Sequence, residues 1–324
     1  MKAFVTGGTG FIGSHLVDAL IESEKYSEIR CLVRNKEKWL SGKKFLKIKG
    51  DLNDMSAMNT GIKGADVIFH IAAVVKAPTK KDFRTANVDA TESIIRIAQK
   101  NDVHNVVILS SLAAVGPSFG EPITEEKDLM PVSMYGESKK QMELMIDRVA
   151  IELDSIKIIR PPAVYGPREE QIFSYFKSAS RGISPIIGNG EHPKLSMVFV
   201  TDLIQGIIKA SEYKTLGVHP FFITGMREYT WNEIKGTTQN ALGKKIYPIY
   251  IKPTWVKKIG SFVESTASLF GKYPVINREK ASELVLEWTC SSAKAHKILG
   301  YKPQYTLAEG ISRTINWYKL HNWL

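Results

Sequence analysis

The chain has 324 residues, of which 44% are apolar and 24% are charged, close to the averages for globular proteins. This composition excludes a disordered chain, a collagen and a disulfide scaffold, and no apolar run reaches the roughly 18 residues of a membrane-spanning helix. Lys and Arg exceed Asp and Glu by 44 to 33, which gives a formal charge of +11. The lysines are scattered in pairs along the chain, a pattern typical of a solvated surface, so we expect no nucleic-acid partner.

Two features concern the cellular compartment. The two cysteines, Cys31 and Cys290, lie far apart in the sequence, which favours reduced thiols. The first residues run directly into a predicted strand and a glycine-rich segment, which leaves no room for a secretory signal. The sequence therefore predicts a cytoplasmic protein.

Short apolar runs alternate with amphipathic stretches in the first half of the chain. The runs predict strands at residues 3–6, 29–33, 45–48, 67–71, 106–110 and 157–160, and the longer stretches predict helices at 14–23, 85–100 and 133–153. The strands are continuously apolar, as strands buried on both faces are. This order predicts an α/β fold with a doubly wound parallel sheet of the Rossmann type.

The second half of the chain is less regular. After Pro167 one more strand is predicted at residues 197–200, and helices are predicted at 230–242, 254–270, 291–299 and 307–318. We expect these elements to form a smaller, mostly helical lobe over the edge of the sheet.

A glycine-rich turn joins the first predicted strand to the first predicted helix. Gly7, Gly10 and Gly13 allow a tight turn and a close approach of a pyrophosphate to the helix N-terminus, where Phe11 and Ile12 present backbone N–H groups. An ordinary glycine-rich turn has the same composition. Its position after an N-terminal strand nevertheless favours a dinucleotide-binding site.

The ends of the next strands indicate which dinucleotide is bound. Arg34 ends the second predicted strand, where an acidic residue would bind a ribose hydroxyl and a cation would bind a 2′-phosphate, so NADP is favoured over NAD. Asp51, with Leu52 after it, could accept from an adenine amino group or cap a turn. Ala72 and Ala73 are small enough to leave room for the cofactor.

The candidate catalytic residues follow the fifth predicted strand. Tyr135 and Lys139 are four residues apart in a predicted helix and therefore share one face. A nearby ammonium group should lower the pKa of the tyrosine towards the operating pH of a general acid/base. The pair Ser110 and Ser111 offers a hydroxyl for a substrate carbonyl, although a surface Tyr–Lys pair and a turn-capping serine would look the same.

Together these motifs resemble the extended short-chain dehydrogenase/reductase superfamily of NAD(P)-dependent epimerases, dehydratases and reductases. The resemblance is carried by residues 6–13, 51–52, 110–111, 135 with 139, 160–161, 164–167, 199–203 and 299–303. It implies a Ser-Tyr-Lys catalytic set in which Ser111 faces the substrate, and it implies that Pro161 and Val164 line the nicotinamide. On this basis we assign residues 1–167, with 196–225 returning to them, to an NADP-binding domain, and residues 168–195 and 226–324 to a substrate-binding lobe.

Within the superfamily one branch fits better than the other. Sugar-nucleotide epimerases and dehydratases usually carry a diphosphate-binding arginine where this chain has Leu195, and the neighbouring Lys194 lacks the bidentate fork. Residues 110–117 and 255–274 look like the 3β-hydroxysteroid dehydrogenase and dihydroflavonol-reductase branch. The sequence therefore predicts an NADP-dependent reductase of a ketone or aldehyde on a small or apolar substrate. A nucleotide-sugar epimerase or dehydratase and a non-catalytic NADP-binding sensor are the alternatives.

The remaining predictions concern partners. We expect a small-molecule substrate, a homodimer, no metal and no contact with a membrane surface. In residues 255–270 apolar side chains recur at helical spacing, which favours a helix packed on the core of its own lobe. Two other interpretations stay open: that this face lines an apolar substrate pocket, or that the helix rests on a membrane.

Overall fold

A computed structural model describes residues 1–256, 258 and 278–324. Its strands are β1 Lys2–Thr6, β2 Glu28–Val33, β3 Leu46–Lys49, β4 Val67–His70, β5 Asn105–Leu109, β6 Ser155–Arg160, β7 Ala163–Tyr165, β8 Ile183–Ile187, β9 Leu195–Phe199, β10 Gly217–Phe222, β11 Glu228–Tyr229 and β12 Tyr247–Ile251. Its helices are α1 Phe11–Glu22, α2 Met55–Ile62, α3 Lys80–Arg84, α4 Ala90–Lys100, α5 Met134–Val149, α6 Phe173–Ser180, α7 Val200–Glu212, α8 Trp231–Leu242, α9 Arg278–Leu284, α10 Ala293–Leu299 and α11 Leu307–Leu320.

The centre of the fold is a seven-stranded sheet in the order β10-β6-β5-β4-β1-β2-β3. All of its neighbouring strands are parallel. The strand order reverses between β1 and β4, which leaves a crevice at their carboxyl ends, where open α/β sheets bind ligands. The predicted doubly wound Rossmann fold is therefore confirmed.

Apolar side chains cover both faces of this sheet. Successive residues of β1 point to opposite sides, so Phe4 packs in one core cluster and Val5 in the other. Leu16 of α1 and Leu203 of α7 belong to the cluster of Val5, and Ile146 of α5 belongs to that of Phe4. Burial on both faces explains why the sequence shows continuous apolar runs.

The predicted central strands differ from the observed ones by one or two residues at their ends. The predicted helix 85–100 differs more, because α3 and α4 are separated by a π-helical turn, Thr85–Asp89. The strand predicted at 197–200 begins earlier and ends at Phe199, since Val200 already starts α7. The helix predicted at 254–270 lies for the most part outside the described residues.

The rest of the chain packs beside the sheet as small elements. Strands β11, β9 and β7 form a three-stranded sheet, and β12 pairs in parallel with β8. Thr230 and Glu233 form a capping box at the start of α8, and Thr306 and Glu309 form one at the start of α11, so these residues determine where both helices begin.

The predicted domain boundaries stay a prediction. Among the described residues, no helix combines the length and apolarity needed to cross a bilayer.

Candidate active site

The turn after β1 has the shape that a bound diphosphate requires. Gly7 has a φ of +74°, and a Cβ atom there would lie 2.5 Å from the backbone nitrogen of Ala72. A Cβ atom on Gly13 would lie 2.1 Å from the carbonyl oxygen of Gly7. Gly10 caps α1 without a side-chain hydrogen bond, so the first N–H groups of this helix, at Phe11 and Ile12, are available to an anion. These residues fit the diphosphate of a dinucleotide.

The residues predicted to contact the adenosine half lie along the same sheet edge. Arg34 follows β2 and is exposed to solvent. The end of β3 lies beside it, since the Gly50 amide donates to the carbonyl of Val33 at 3.2 Å. Asp51 and Leu52 are half-buried, and one carboxylate oxygen of Asp51 accepts from the Asn53 amide at 2.8 Å. Asp51 thus does hold a turn, and its position after β3 puts it at the same sheet edge as Arg34.

The loop after β4 is fixed by a residue that the sequence analysis missed. The side-chain oxygen of Asn87 accepts from the Val74 amide at 2.8 Å, and its nitrogen donates to the Val74 carbonyl at 2.9 Å. The same nitrogen donates to the hydroxyl of Ser138 at 3.0 Å. Asn87 therefore ties the loop of Ala72 and Ala73 to the helix that carries Tyr135. It lies in the π-helical turn, a feature that is frequent at functional sites.

Ser111, Tyr135 and Lys139 meet at the carboxyl end of β5. The hydroxyl of Ser111 lies close enough to the side chain of Tyr135 to favour its phenolate form, and it accepts from the Ala113 amide at 3.1 Å. Lys139 lies one turn further along α5 and is only 1% exposed. Its Nζ donates to the Leu109 carbonyl at 2.7 Å. The structure thus brings together the three residues that the sequence singled out, although their roles stay predictions.

The predicted effect of Lys139 on Tyr135 is not what this structure shows. Burial raises the pKa of Tyr135 to about 12, with the nearby hydroxyl of Ser111 acting in the opposite direction. Burial also lowers the pKa of Lys139 to about 8, against the attraction of the Glu143 carboxylate. The prediction of a lowered tyrosine pKa is therefore wrong here, because the ammonium group is directed at the Leu109 carbonyl and desolvation of the phenol dominates.

A second buried polar group lies directly behind these residues. Glu143, one further turn along α5, accepts from the hydroxyl of Ser110 at 2.5 Å. The guanidinium of Arg160, at the end of β6, binds the same carboxylate through Nη2 at 2.5 Å and Nε at 3.1 Å. All three side chains are buried. This network links the strand end that carries Ser111 to the helix that carries Tyr135. Glu143 lies four residues after Lys139, and this spacing, which is visible in the sequence, could have indicated that Glu143 shares the helix face of Lys139.

The other predicted nicotinamide contacts lie on the far side of the same crevice. The carbonyl of Pro161 accepts from the Leu112 amide at 2.9 Å, so the segment after β6 is held against the segment that follows Ser111. Val164 lies in β7 and packs on the same core cluster as Phe11 and Ile12. These positions place both residues beside the crevice.

Helix α9 approaches the site from the C-terminal part of the chain. The carboxylate of Glu279 accepts from the amide of Met134, the residue before Tyr135. Glu283, one turn later and buried, is paired with Lys280 at 2.9 Å, and its negative charge adds to the raised pKa of Tyr135. These carboxylates carry no local signal in the sequence, because only the folded chain brings α9 to α5.

The comparisons with known proteins agree with this geometry. The sequence profile of the 3-beta hydroxysteroid dehydrogenase/isomerase family matches residues 4–223. The chain belongs to this family. Membership in this family places the chain in the extended short-chain dehydrogenase/reductase superfamily and identifies the protein as an NAD(P)-dependent enzyme.

Relatives of this family member have different activities. A ceramide reductase of Caulobacter vibrioides is 29% identical over 99% of this chain and 95% of its own length. A UDP-glucose 4-epimerase of Vibrio cholerae is 28% identical over 96% of this chain and 93% of its own. The solved structure of MoeE5 with UDP-glucuronic acid and NAD superposes with a TM-score of 0.79 at 21% identity, over 99% of this chain and 100% of that one. Membership in the family shows the fold and the class of cofactor, but it does not show which reaction this chain catalyses.

Because His70 is buried, the stability of this protein should depend on pH. The two ring nitrogens of His70 form hydrogen bonds with the hydroxyls of Thr6, at 2.6 Å, and Thr91, at 2.9 Å. Burial lowers the pKa of His70 from 6.5 to about 3. Since the unfolded chain then takes up a proton that the folded chain does not, the free energy of unfolding should decrease as the pH falls below 6.5, by up to roughly 5 kcal/mol near pH 3. Urea unfolding at a series of pH values measures this. The decrease should be smaller in His70→Asn, and an equal decrease in both proteins would exclude His70 as its cause.

Proposed function

We propose that the protein is an NADP-dependent reductase that converts a ketone or aldehyde on a small or apolar substrate to the alcohol. The observation that carries this proposal is that Ser111 and Tyr135 lie side by side at the carboxyl end of β5, with Lys139 one helical turn further along α5. When bound, the dinucleotide supplies a hydride. Ser111 would hold the substrate oxygen, and Tyr135 would transfer its phenolic proton to that oxygen.

The protonation state of the site is compatible with reduction. A phenol with a pKa of about 12 carries its proton at neutral pH, the form from which reduction starts, although the raised pKa makes it a weaker acid. Oxidation of an alcohol, the step with which an epimerase begins, would instead require Tyr135 to accept a proton. Lys139, with its pKa of about 8, would carry a positive charge at neutral pH and attract the developing alkoxide.

The charge around the site favours an uncharged substrate. Leu195 begins β9 at the position where the sugar-nucleotide branch carries an arginine for the diphosphate. Glu283 places a negative charge within electrostatic reach of Tyr135. Because Lys280 pairs with this carboxylate, the lack of a cation at Leu195 is what disfavours a diphosphate there. The likeness to a ceramide reductase supports an apolar substrate as well.

A nucleotide-sugar epimerase is the second candidate, because the Vibrio cholerae relative has that activity and the same Tyr135 and Lys139 would serve it. The two candidate activities differ in whether turnover consumes the cofactor. A reductase consumes NADPH steadily with a panel of apolar ketones and aldehydes, which the loss of NADPH absorbance measures. An epimerase interconverts UDP- or dTDP-sugars without net consumption. Cofactor binding without either reaction would support the non-catalytic sensor and overturn the proposal.

We further propose that Arg34 makes the enzyme prefer NADPH to NADH. The guanidinium is exposed at the end of β2, where it would meet a 2′-phosphate in a charge-assisted hydrogen bond worth roughly 1.5–3 kcal/mol, or about tenfold to a hundredfold in affinity. Titration of nucleotide fluorescence measures both affinities. Arg34→Asp should reverse the preference, and the neighbouring Lys36→Asp is the control for the loss of general positive charge. Equal or tighter binding of NADH by the unmodified protein would refute this assignment.

A further inference from the structure

An apolar sheet face in the C-terminal half is exposed to solvent. The parallel register of β8 and β12 pairs Ile183 with Tyr247 and Pro185 with Ile249, so these four residues share one face. Three of them are among the exposed large apolar side chains, with Ile183 at 43%, Tyr247 at 60% and Ile249 at 50% exposure. The residues between Ile183 and Ile187 that point the other way are fully buried. In β8 the sheet therefore has one buried side and one open apolar side, whereas Tyr250 of β12, on the side of Ile186, is itself 53% exposed.

Positive charges surround this open side. The segments 171–190 and 234–258 contain no Asp or Glu. Because parallel strands start at the same edge, the residues just before β8 and β12 lie together at one end of the face, and the residues after β12 lie at the other. The exposed cations at these two ends are Arg181, Lys244, Lys245, Lys252 and Lys258. We call these five cations and the four apolar residues, together with Trp255, the basic-aromatic face.

Two of its lysines lie against aromatic rings. The Nζ of Lys245 is 5.1 Å from the ring centroid of Tyr247, and that of Lys258 is 5.4 Å from that of Trp255, which is 58% exposed. These cation–π contacts hold an ammonium group and an amphipathic ring at the same level. Tyr and Trp rings settle at the headgroup level of a bilayer, where lysine side chains extend their charges to the lipid phosphates.

We propose that the basic-aromatic face docks on the surface of a membrane that contains anionic phospholipids. Charge complementarity favours this occupant, since the five cations of the basic-aromatic face meet a negative surface while its apolar residues enter the interface. A symmetric dimer through the same face would bring the five cations of each copy towards those of the other. A nucleic acid would leave Ile183 and Ile249 without an apolar partner. This inference departs from the expectation of no membrane contact.

Flotation with lipid vesicles tests the proposal on the full chain. We expect the protein to bind vesicles of phosphatidylcholine with phosphatidylglycerol at least tenfold more strongly than vesicles of phosphatidylcholine alone, and to be released by salt. The double variant Lys245→Glu/Ile249→Ser should lose at least tenfold in binding to the anionic vesicles. The matched control is Lys214→Glu/Leu216→Ser, which makes the same change of charge and polarity at an exposed site outside the face.

Each outcome of the flotation experiment supports or overturns docking on a membrane. Loss of binding in the first variant with retention in the control supports docking through this face, provided that both variants bind NADPH like the unmodified protein. Equal loss in both variants would mean that only the net charge matters, and equal binding to neutral and anionic vesicles would remove the charge argument. Light scattering that shows a dimer broken by Lys245→Glu/Ile249→Ser, or binding of DNA in place of vesicles, would replace the membrane with another occupant.

Discussion

Replacing Tyr135 with phenylalanine is expected to lower kcat for carbonyl reduction by about 10²–10⁴-fold, the usual contribution of a positioned general acid. The substitution removes only the phenolic hydroxyl, which lies near Ser111. The ring keeps its place beside Phe83, at 6.3 Å between centroids, so the fold and the cofactor site should stay intact. Steady-state kinetics with NADPH and an apolar ketone measure the loss, and nucleotide fluorescence measures cofactor affinity.

The control for this variant is the same substitution in another helix. Tyr175 lies in α6, where its hydroxyl is 3.4 Å from that of Ser184, and Tyr175→Phe should keep normal turnover. Turnover retained in Tyr135→Phe would remove the phenol from the mechanism. Loss of turnover together with loss of NADPH binding would instead indicate that the residue supports the structure of the cofactor site.

Local features of this fold were accessible from the sequence. The turn from Gly7 to Gly13 depends on glycine because a Cβ atom on Gly13 would collide with the carbonyl oxygen of Gly7, and such a local requirement is visible in the spacing of the residues. The pairing of Tyr135 with Lys139 follows from helix geometry, because residues four apart share a face. Both features arise within a short stretch of chain.

Properties that depend on distant contacts were not accessible. The raised pKa of Tyr135 results from burial, which needs the whole pocket, and the sequence supports only the local effect of a lysine. Glu283 reaches the site because α9 folds back over α5, almost 150 residues after Tyr135 in the chain. The π-helical turn that carries Asn87 interrupts a stretch whose periodicity predicts one continuous helix.

Breaking the buried pair of Glu143 and Arg160 should cost more stability than breaking any exposed ion pair among the described residues. Glu143→Ala leaves the guanidinium buried without its carboxylate, and such a loss costs about 3–5 kcal/mol in free energy of unfolding. The cost should lie high in this range, because one guanidinium nitrogen of Arg160, Nη1, already lacks a hydrogen-bond partner. Urea unfolding with and without NADPH measures it.

A second Arg–Glu pair in α4 provides the matched control. Arg96 and Glu92 are 2.7 Å apart, but their side chains are 60% and 35% exposed, so Glu92→Ala should change the free energy of unfolding by less than about 1 kcal/mol. The double variant Glu143→Ala/Arg160→Met should recover much of the lost stability, since it removes the unpaired charge as well. If Glu143→Ala costs no more than Glu92→Ala, the carboxylate does not hold Arg160 as the structure describes. If stability falls and the double variant restores it without restoring turnover, the pair also positions Ser110, and through it Ser111, for the reaction.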